Sequence, residues 1–452
     1  MTSVRLGPVS LARLLARRRH LAARDGWSRV RLETHQQREL ERLRRFASER
    51  SPFYREFHSG QAEAPLVELP VLSKTILMDR WDDIVTDRTL NLDAVLGFVE
   101  ELDEPARLNG RHLVATTSGT TGLKGVFVYD PDEWLWVLAS YARANDWAGI
   151  PAGLTHRLRL AVVSTTAPWH QSAVVGASLK GPLVPTLRLD ATRPMEHIVS
   201  ELNAFMPESL VAYAGMAERL AREQLSGRLR ITPRTVFCAS EVLTAGARSR
   251  VQQAFGSEPF ETYAATETAS IASDCRLHRL HVYEDLVAPE FVDDDNRPVP
   301  PGTYGARVLV SVLFSRTLPL IRYEISDSVV PSADACECGL PFLLIDRVRG
   351  RREDVLSLDG ISGSVSVQPG VFGDALESRG VAAWQIVQES GRQVRALIVA
   401  ADGFSQKGLE VRIARALEAA GAMKPEVVVQ RVATLERTAV GKTPLVRGLR
   451  KG

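Results

Sequence analysis

The spacing of apolar positions changes twice along the chain, and each change predicts a different kind of structure. Over roughly the first hundred residues, apolar positions recur every three or four residues between polar connections, which predicts helices. In 36–49 (QQRELERLRRFASE), Leu40, Leu43 and Phe46 form one stripe, and Ser51-Pro52 stops it. From about 111 to 330, short apolar runs alternate with helical segments. LRLAVVST at 158–165, SLVAYAG at 209–215 and RTVFCAS at 234–240 are strand-length and bounded by Gly, Pro or Ser. Strands alternating with helices predict a layered α/β domain. Residues 290–313 break the rhythm with a strand, an acidic turn, a Pro-Pro-Gly break and a second strand, a β-meander. A dense charge run at 347–356 (RVRGRREDVL) and a Gly- and Ser-rich stretch at 358–366 then mark a boundary near 350. Beyond it, 384–389, 394–401, a helix near 406–420 and 426–432 predict a compact α+β unit, and about 100 residues suffice for a small domain. The expected organisation is a large layered α/β domain over 1–350, with a helical start (1–105) and an α/β core (106–350), and a small α+β domain over 351–452.

Composition narrows the functional classes. At 452 residues the chain is too long for one core, and 45% hydrophobic with 24% charged residues is ordinary for a globular protein. No run approaches the roughly 18 apolar residues of a membrane span. A net charge of +2 gives no case for nucleic-acid binding, and four cysteines cannot make a secreted disulfide framework. Only seven of the 56 basic residues are lysines (74, 124, 180, 407, 424, 442, 451), so a lysine inside a motif carries weight. Segment 4–24 is basic, but Arg13 and Arg17 to Arg19 interrupt any signal-peptide core. A solvated basic helix is expected there, with a transit peptide or lipid-surface helix as the alternatives, and the cytoplasm is the default location.

Residues 116–125 read TTSGTTGLKG between strand-like HLVA and VFVYD. Glycines permit positive φ and close backbone approach, so such a loop can turn its amides inward as an anion nest, with hydroxyls and Lys124 adding donors. The lysine does not follow the second glycine at a helix start, so this is not a Walker A loop. SGTTGLKG resembles the phosphate-loop signature of the adenylate-forming superfamily. In order along the chain, TYAATETA (262–269), LPLIRYEISD (318–327), RVRGRREDVL and RTAVGKTPLVRGLR (437–450) resemble its other motifs. SPFYREF (51–57), ELPVLSKTILMDRWDD (68–83), LHVYEDLVAPEF (280–291) and CECG (336–339) resemble its phenylacetate–CoA ligase and capsule-biosynthesis-type branch.

That resemblance implies ATP-dependent, AMP-forming activation of a carboxylic acid, aromatic by default, followed by transfer to a nucleophile such as the CoA thiol. It implies that Thr117, Ser118, Gly119, Thr120, Thr121, Gly122 and Lys124 hold the β- and γ-phosphates. Thr266 would contact the α-phosphate and Glu267 would hold Mg²⁺. Tyr263, Ala264, Ser240 and Glu241 would line the adenine, Asp327 would bind the ribose diol, and Arg351 would neutralise the α-phosphate side. Lys442 would swing in for adenylation, and Glu353, beside Asp354, would be the hinge residue within 351–354. Trp169 and His170 in APWHQSA resemble an acyl-pocket gate.

Cys275, His281, Cys336 and Cys338 have the ligand types of a Cys₃His zinc site, with His278 as a competing ligand and three reduced thiols as the plain alternative. Such a metal would be a structural clip; Cys238 reads as core. The chain departs from the family at Ala264, at Glu324-Ile325-Ser326 and in the Ser-rich stretch where CoA would be met. An amine, a carrier-protein thiol or a different oxyanion therefore stays open as reactant, as does a catalytically silent zinc-containing binding protein.

Overall fold

The computed structural model describes residues 2–117, 123–150, 157–181, 183–351, 355–361, 363–367, 370–376, 381–400, 405–438 and 441–449, with backbone only at 347, 349, 351, 370, 373, 374 and 382. The chain opens with helices α1 (Pro8–Arg24) and α2 (Arg29–Arg50), and α2 ends at Ser51 ahead of Pro52 as expected. The basic helix α1 is solvated along one face, as expected, and docked along the other. It buries Leu14 and Leu21 and lies along α3 (Pro131–Trp147), where Arg13 and Arg17 pair with Asp132 and Arg18 pairs with Asp146. The sequence pattern missed this docking because the acidic partners are more than a hundred residues away. Helix α3 starts with a capping box in which Asp130 and Glu133 satisfy each other's backbone N–H groups. Buried Glu133 also accepts from the Arg316 and Thr317 amides and the Thr317 hydroxyl, which ties the helix to a loop 180 residues on.

A nine-stranded sheet organises the large domain. Its strands are β1 (Leu160–Ser164), β2 (Thr186–Asp190), β3 (Ser209–Tyr213), β4 (Thr235–Ala239), β5 (Phe260–Ala265), β6 (Ala269–Asp274), β7 (Leu280–Val282), β8 (Asp327–Pro331) and β9 (Leu344–Arg351). The order across the sheet is β8-β9-β7-β6-β5-β4-β3-β1-β2. Strands β1 to β5 pair in parallel and β5 to β9 antiparallel. The parallel strands alternate with helices, among them α4 (Gln171–Leu179), so their carboxyl ends collect along one edge, where open α/β sheets bind ligands. The expected meander is present as Val287–Val292, Arg307–Val312 and Tyr323–Ile325 in one antiparallel sheet. The charge run at 347–351, in contrast, is the end of β9 itself, extended because it pairs with β8.

Past residue 355 the chain forms the hairpin β10 (Leu356–Gly360) and β11 (Gly363–Val367). A four-stranded sheet follows: β12 (Val381–Gln388), β13 (Gln393–Ala400), β14 (Glu426–Arg431) and β15 (Val446–Arg447), with α5 (Gln406–Ala419) against it. Its core, from Leu356 to Val446, is separate from the two main cores of the preceding chain. Among the described residues no helix is long and apolar enough to cross a membrane.

Candidate active site

The Gly/Thr loop leaves a two-stranded ribbon, Leu113–Thr116 with Val126–Tyr129, whose residues are all buried. Its neck is closed by the Thr117 amide on the Gly125 carbonyl (3.0 Å) and by the Gly125 amide on Thr117 Oγ1 (2.8 Å). A Cβ at Gly125 would come within 2.8 Å of the Phe127 ring and 3.1 Å of Lys74 Cε, so only glycine fits. Lys74 Nζ donates to Thr117 Oγ1 at 3.0 Å, placing an ammonium group at the neck of the loop. Lys124 is exposed beside it, and Ser118, Gly119, Thr120, Thr121 and Gly122 lie outside the described residues.

Across the strand ends, the β5–β6 turn carries Thr266 and Glu267. The Tyr129 hydroxyl (2.6 Å) and the Gln171 amide (3.0 Å) both donate to the Thr266 carbonyl. Burial pushes the Tyr129 phenol well above its ordinary range, so it remains a donor. Tyr323 donates to Glu267 Oε1 at 3.4 Å, and burial, reinforced by the Glu267 charge, raises its pKa too. Tyr263 is buried in β5, next to Ala264, whose backbone is extended and gains nothing from glycine. Ser240, just after β4, has φ +65°, a left-handed conformation unusual for a non-glycine residue and common at functional turns. Asp327 stands directly opposite Arg351 in the β8–β9 register. The Arg351 side chain, Glu353 and Asp354 lie outside the described residues.

The C-terminal segment reaches the same edge. Lys442 Nζ lies 5.5 Å from the centre of the Tyr213 ring, at the end of β3. The Thr443 amide bonds Glu241 Oε1, the Gly215 amide bonds Glu241 Oε2 at 2.7 Å, and Arg437 donates to the Ala191 carbonyl at 2.9 Å. Glu241 is thus committed to the docked segment through one oxygen and to Gly215 through the other. Burial pushes its pKa up, against the pull of those amides and of Lys442 and Arg437. His170 caps α4: its Nδ1 accepts from the Ser172 amide (3.4 Å) and meets the Ser172 hydroxyl (3.0 Å). Burial, then the Lys442 and Arg188 charges, push it down to about 3, so the imidazole is neutral. The neighbouring Trp169 carbonyl accepts from the Thr116 amide at 2.9 Å, linking this group to the Gly/Thr loop.

Away from this edge, the donor atoms of Cys275, His281, Cys336 and Cys338 lie within 4.8 Å of one another. The Cys275–Cys336 Sγ separation of 3.8 Å is what two Zn–S bonds of about 2.3 Å subtend at a tetrahedral angle. His281 Nδ1 donates to the Phe342 carbonyl (3.2 Å), which turns Nε2 toward Cys338 Sγ (3.2 Å) as a ligand would need. His278 is not part of this set; it stacks on Phe260. Cys238 is buried in β4, in the core. Sequence reading missed the placement of Lys74 and Tyr213, although Lys74 is one of only seven lysines and lies in a recognised segment.

No family model matches the sequence. The chain is 26% identical over 352 residues to the phenylacetate–coenzyme A ligase of Thermus thermophilus, covering 74% of this chain and 73% of that protein. It is 27% identical over 170 residues to the CapK protein of Staphylococcus aureus, 36% of this chain and 35% of that one. Among solved structures, 2-hydroxyisobutyryl-CoA ligase in its postadenylation state superposes with a TM-score of 0.73 at 18% identity, over 95% of this chain and 92% of that one. In its thioesterification state the same enzyme gives 0.61.

Proposed function

Starting from a chain that belongs to the adenylate-forming superfamily, in its phenylacetate–CoA ligase-like branch, we propose that it joins ATP and a carboxylic acid, aromatic by branch default, into an acyl-adenylate with release of pyrophosphate. It then transfers the acyl group to a thiol, most simply that of CoA. The carboxylate is a poor electrophile until AMP replaces oxide as leaving group, and the anionic acid must approach a polyanionic triphosphate. Preplaced cations and amides are therefore the catalytic requirement.

The observation that carries this reading is the convergence of Lys442, from residues past 440, on the strand ends that also hold Tyr213, His170 and the root of the Gly/Thr loop. In this arrangement residues 117–124 receive the terminal phosphates, with Lys74 at the loop's neck. Thr266 and Arg351 face the α-phosphate, Tyr263, Ala264 and Ser240 border the base, and Asp327 accepts the ribose hydroxyls. Lys442 neutralises charge between carboxylate and phosphorus, and Trp169 and the neutral His170 border the acid. Glu267 is the residue that would hold Mg²⁺, which supplies charge neutralisation on the phosphates. The Cys₃His set would hold a structural zinc. Residues 351–354 act as the hinge between domains 1–350 and 351–452, and the higher superposition with the postadenylation state supports a small domain docked for the first half-reaction. ATP supply suits the cytoplasm.

The test is acid-dependent ATP–pyrophosphate exchange across aromatic, fatty and small acids, followed by mass spectrometry of products formed with CoA, amines and carrier proteins. In that assay Lys442→Ala should cost ~10²-fold or more in exchange, as for a lost transition-state donor, while thioester formation from supplied acyl-adenylate survives. Equal loss of both half-reactions would refute the assigned role of Lys442.

A further inference from the structure

A second cation, Arg188, acts on His170 as Lys442 does, and nothing in the adenylation chemistry uses it. Arg188 extends from β2 beneath the first turns of α4. Its Nη1 donates to the Ser172 carbonyl, and its Nη2 to the Thr165 carbonyl at 2.9 Å. It makes no ion pair among the described residues. The carboxylate nearest in sequence, Asp190, is occupied by the Thr166 amide and hydroxyl (3.1 and 2.7 Å) and the Thr192 amide (2.8 Å). A guanidinium has five N–H donors, and the two bonds above go to uncharged acceptors. Burial pushes this arginine down to about 10, against the favourable influence of Tyr213 and Asp190, so its charge is poorly compensated.

The fold also makes room for it at a cost. Gly176 sits inside helix α4, where glycine is about 1 kcal/mol worse than alanine. A Cβ at that position would collide with Arg188 Nη1 and lie 3.0 Å from its Cδ. The glycine is what lets the guanidinium lie against the helix. Its position relative to the reacting groups follows from shared neighbours: Thr165, whose carbonyl it holds, donates its amide to the Tyr213 hydroxyl (3.0 Å), and Lys442 lies over the Tyr213 ring. Both cations also act on His170.

We propose that the acid activated here is a dicarboxylic acid, with an aromatic or aliphatic skeleton, and that Arg188 binds the carboxylate that does not react. This rests on the adenylation reading above. Lys442 serves the reacting carboxylate and the phosphate, leaving Arg188 to pair with the far one through a charge-assisted, bidentate contact. A neutral substituent at that end would leave the guanidinium half-buried and uncompensated, so the site discriminates against it.

The experiment compares pyrophosphate exchange for matched acids: succinate with butyrate, glutarate with valerate, and 4-carboxyphenylacetate with phenylacetate. The full chain is used as wild type, Arg188→Gln, Arg188→Lys and Gly176→Ala, with melting temperatures recorded for each. The expected result is a preference of at least tenfold in kcat/KM for the dianionic member of at least one pair. That preference should fall toward one in Arg188→Gln and Gly176→Ala and return in part in Arg188→Lys, mainly through KM. Preference for the singly charged member of every pair overturns the inference alone, as does a dianion preference that survives in a folded Arg188→Gln. Exchange with no acid, these or those of the wider screen, overturns the adenylation reading and takes this inference with it.

Discussion

Thr117 Oγ1 accepts both a backbone amide and the Lys74 ammonium, so one hydroxyl couples loop closure to a fixed positive charge. A charge-assisted hydrogen bond contributes about 1.5–3 kcal/mol, equivalent to about 10- to 10²-fold in rate or binding. Lys74→Met should therefore raise KM for ATP in the exchange assay by about that factor, with little change in KM for the acid. Thr117→Val, which removes the acceptor but keeps the ammonium, should cost less. An unchanged KM for ATP in Lys74→Met would reduce Lys74 to a structural pin. At this scale the sequence speaks most specifically where residue type and order coincide, as in the Gly/Thr loop or Lys442 in a Gly-Lys turn. It was less informative where a side chain's role depends on what faces it. His170 reads as a pocket residue, but its Nδ1 caps α4. Glu241 reads as an adenine neighbour, but one oxygen holds Thr443. Arg188 has no motif at all, and it is revealed only by what it meets in the fold, the Ser172 and Thr165 carbonyls and the space left at Gly176.

Elements that were legible are those whose local pattern and tertiary role agree, such as β1, β3 and β4 with their bounded apolar runs. The charge run at the end of β9 went the other way, because pairing with β8 overrides local preference, and for the basic helix α1 the helix was legible but its docking on the acids of α3 was not. The Cys₃His set belongs to this scale because it joins three elements: the end of β6, strand β7 and the 336–338 loop. Around it, Trp147 of α3 packs edge-on to His281 and against Phe342, and the Arg143 guanidinium lies 5.2 Å and 5.0 Å from those two rings, Trp147 and Phe342. A metal clipping this corner contributes its binding free energy to folding. Metal analysis of the purified protein should find one zinc per chain. Chelation, or Cys336→Ser, should lower the melting temperature by several degrees while turnover at a temperature where the fold persists changes little. Turnover lost before stability would make the metal catalytic instead.

At the scale of the whole molecule, the small unit carries its own core and its own strand pattern, so its existence was readable from sequence. Its docking was not, because contacts such as Thr443 with Glu241 and Arg437 with Ala191 link residues about two hundred positions apart or more with no local signature. Glu241 is the buried side of that docking. Its desolvated carboxylate is held by two backbone amides, one from each unit, and lies within the influence of Lys442 and Arg437. Removing it strips the Thr443 amide of its partner, and an unpaired buried polar group costs about 1–3 kcal/mol. Glu241→Ala should therefore shift the chain toward undocked arrangements, visible as a larger radius of gyration in X-ray scattering of the ATP-free protein. It should slow acid-dependent pyrophosphate exchange about tenfold or more, while thioester formation from supplied acyl-adenylate is maintained. Under the hinge proposed above, the second step uses a different placement of the small domain, so a mutation that weakens only the docking seen here should separate the two half-reactions. If Glu241→Ala slows both equally with no change in scattering, Glu241 acts within the site and the docking does not depend on it.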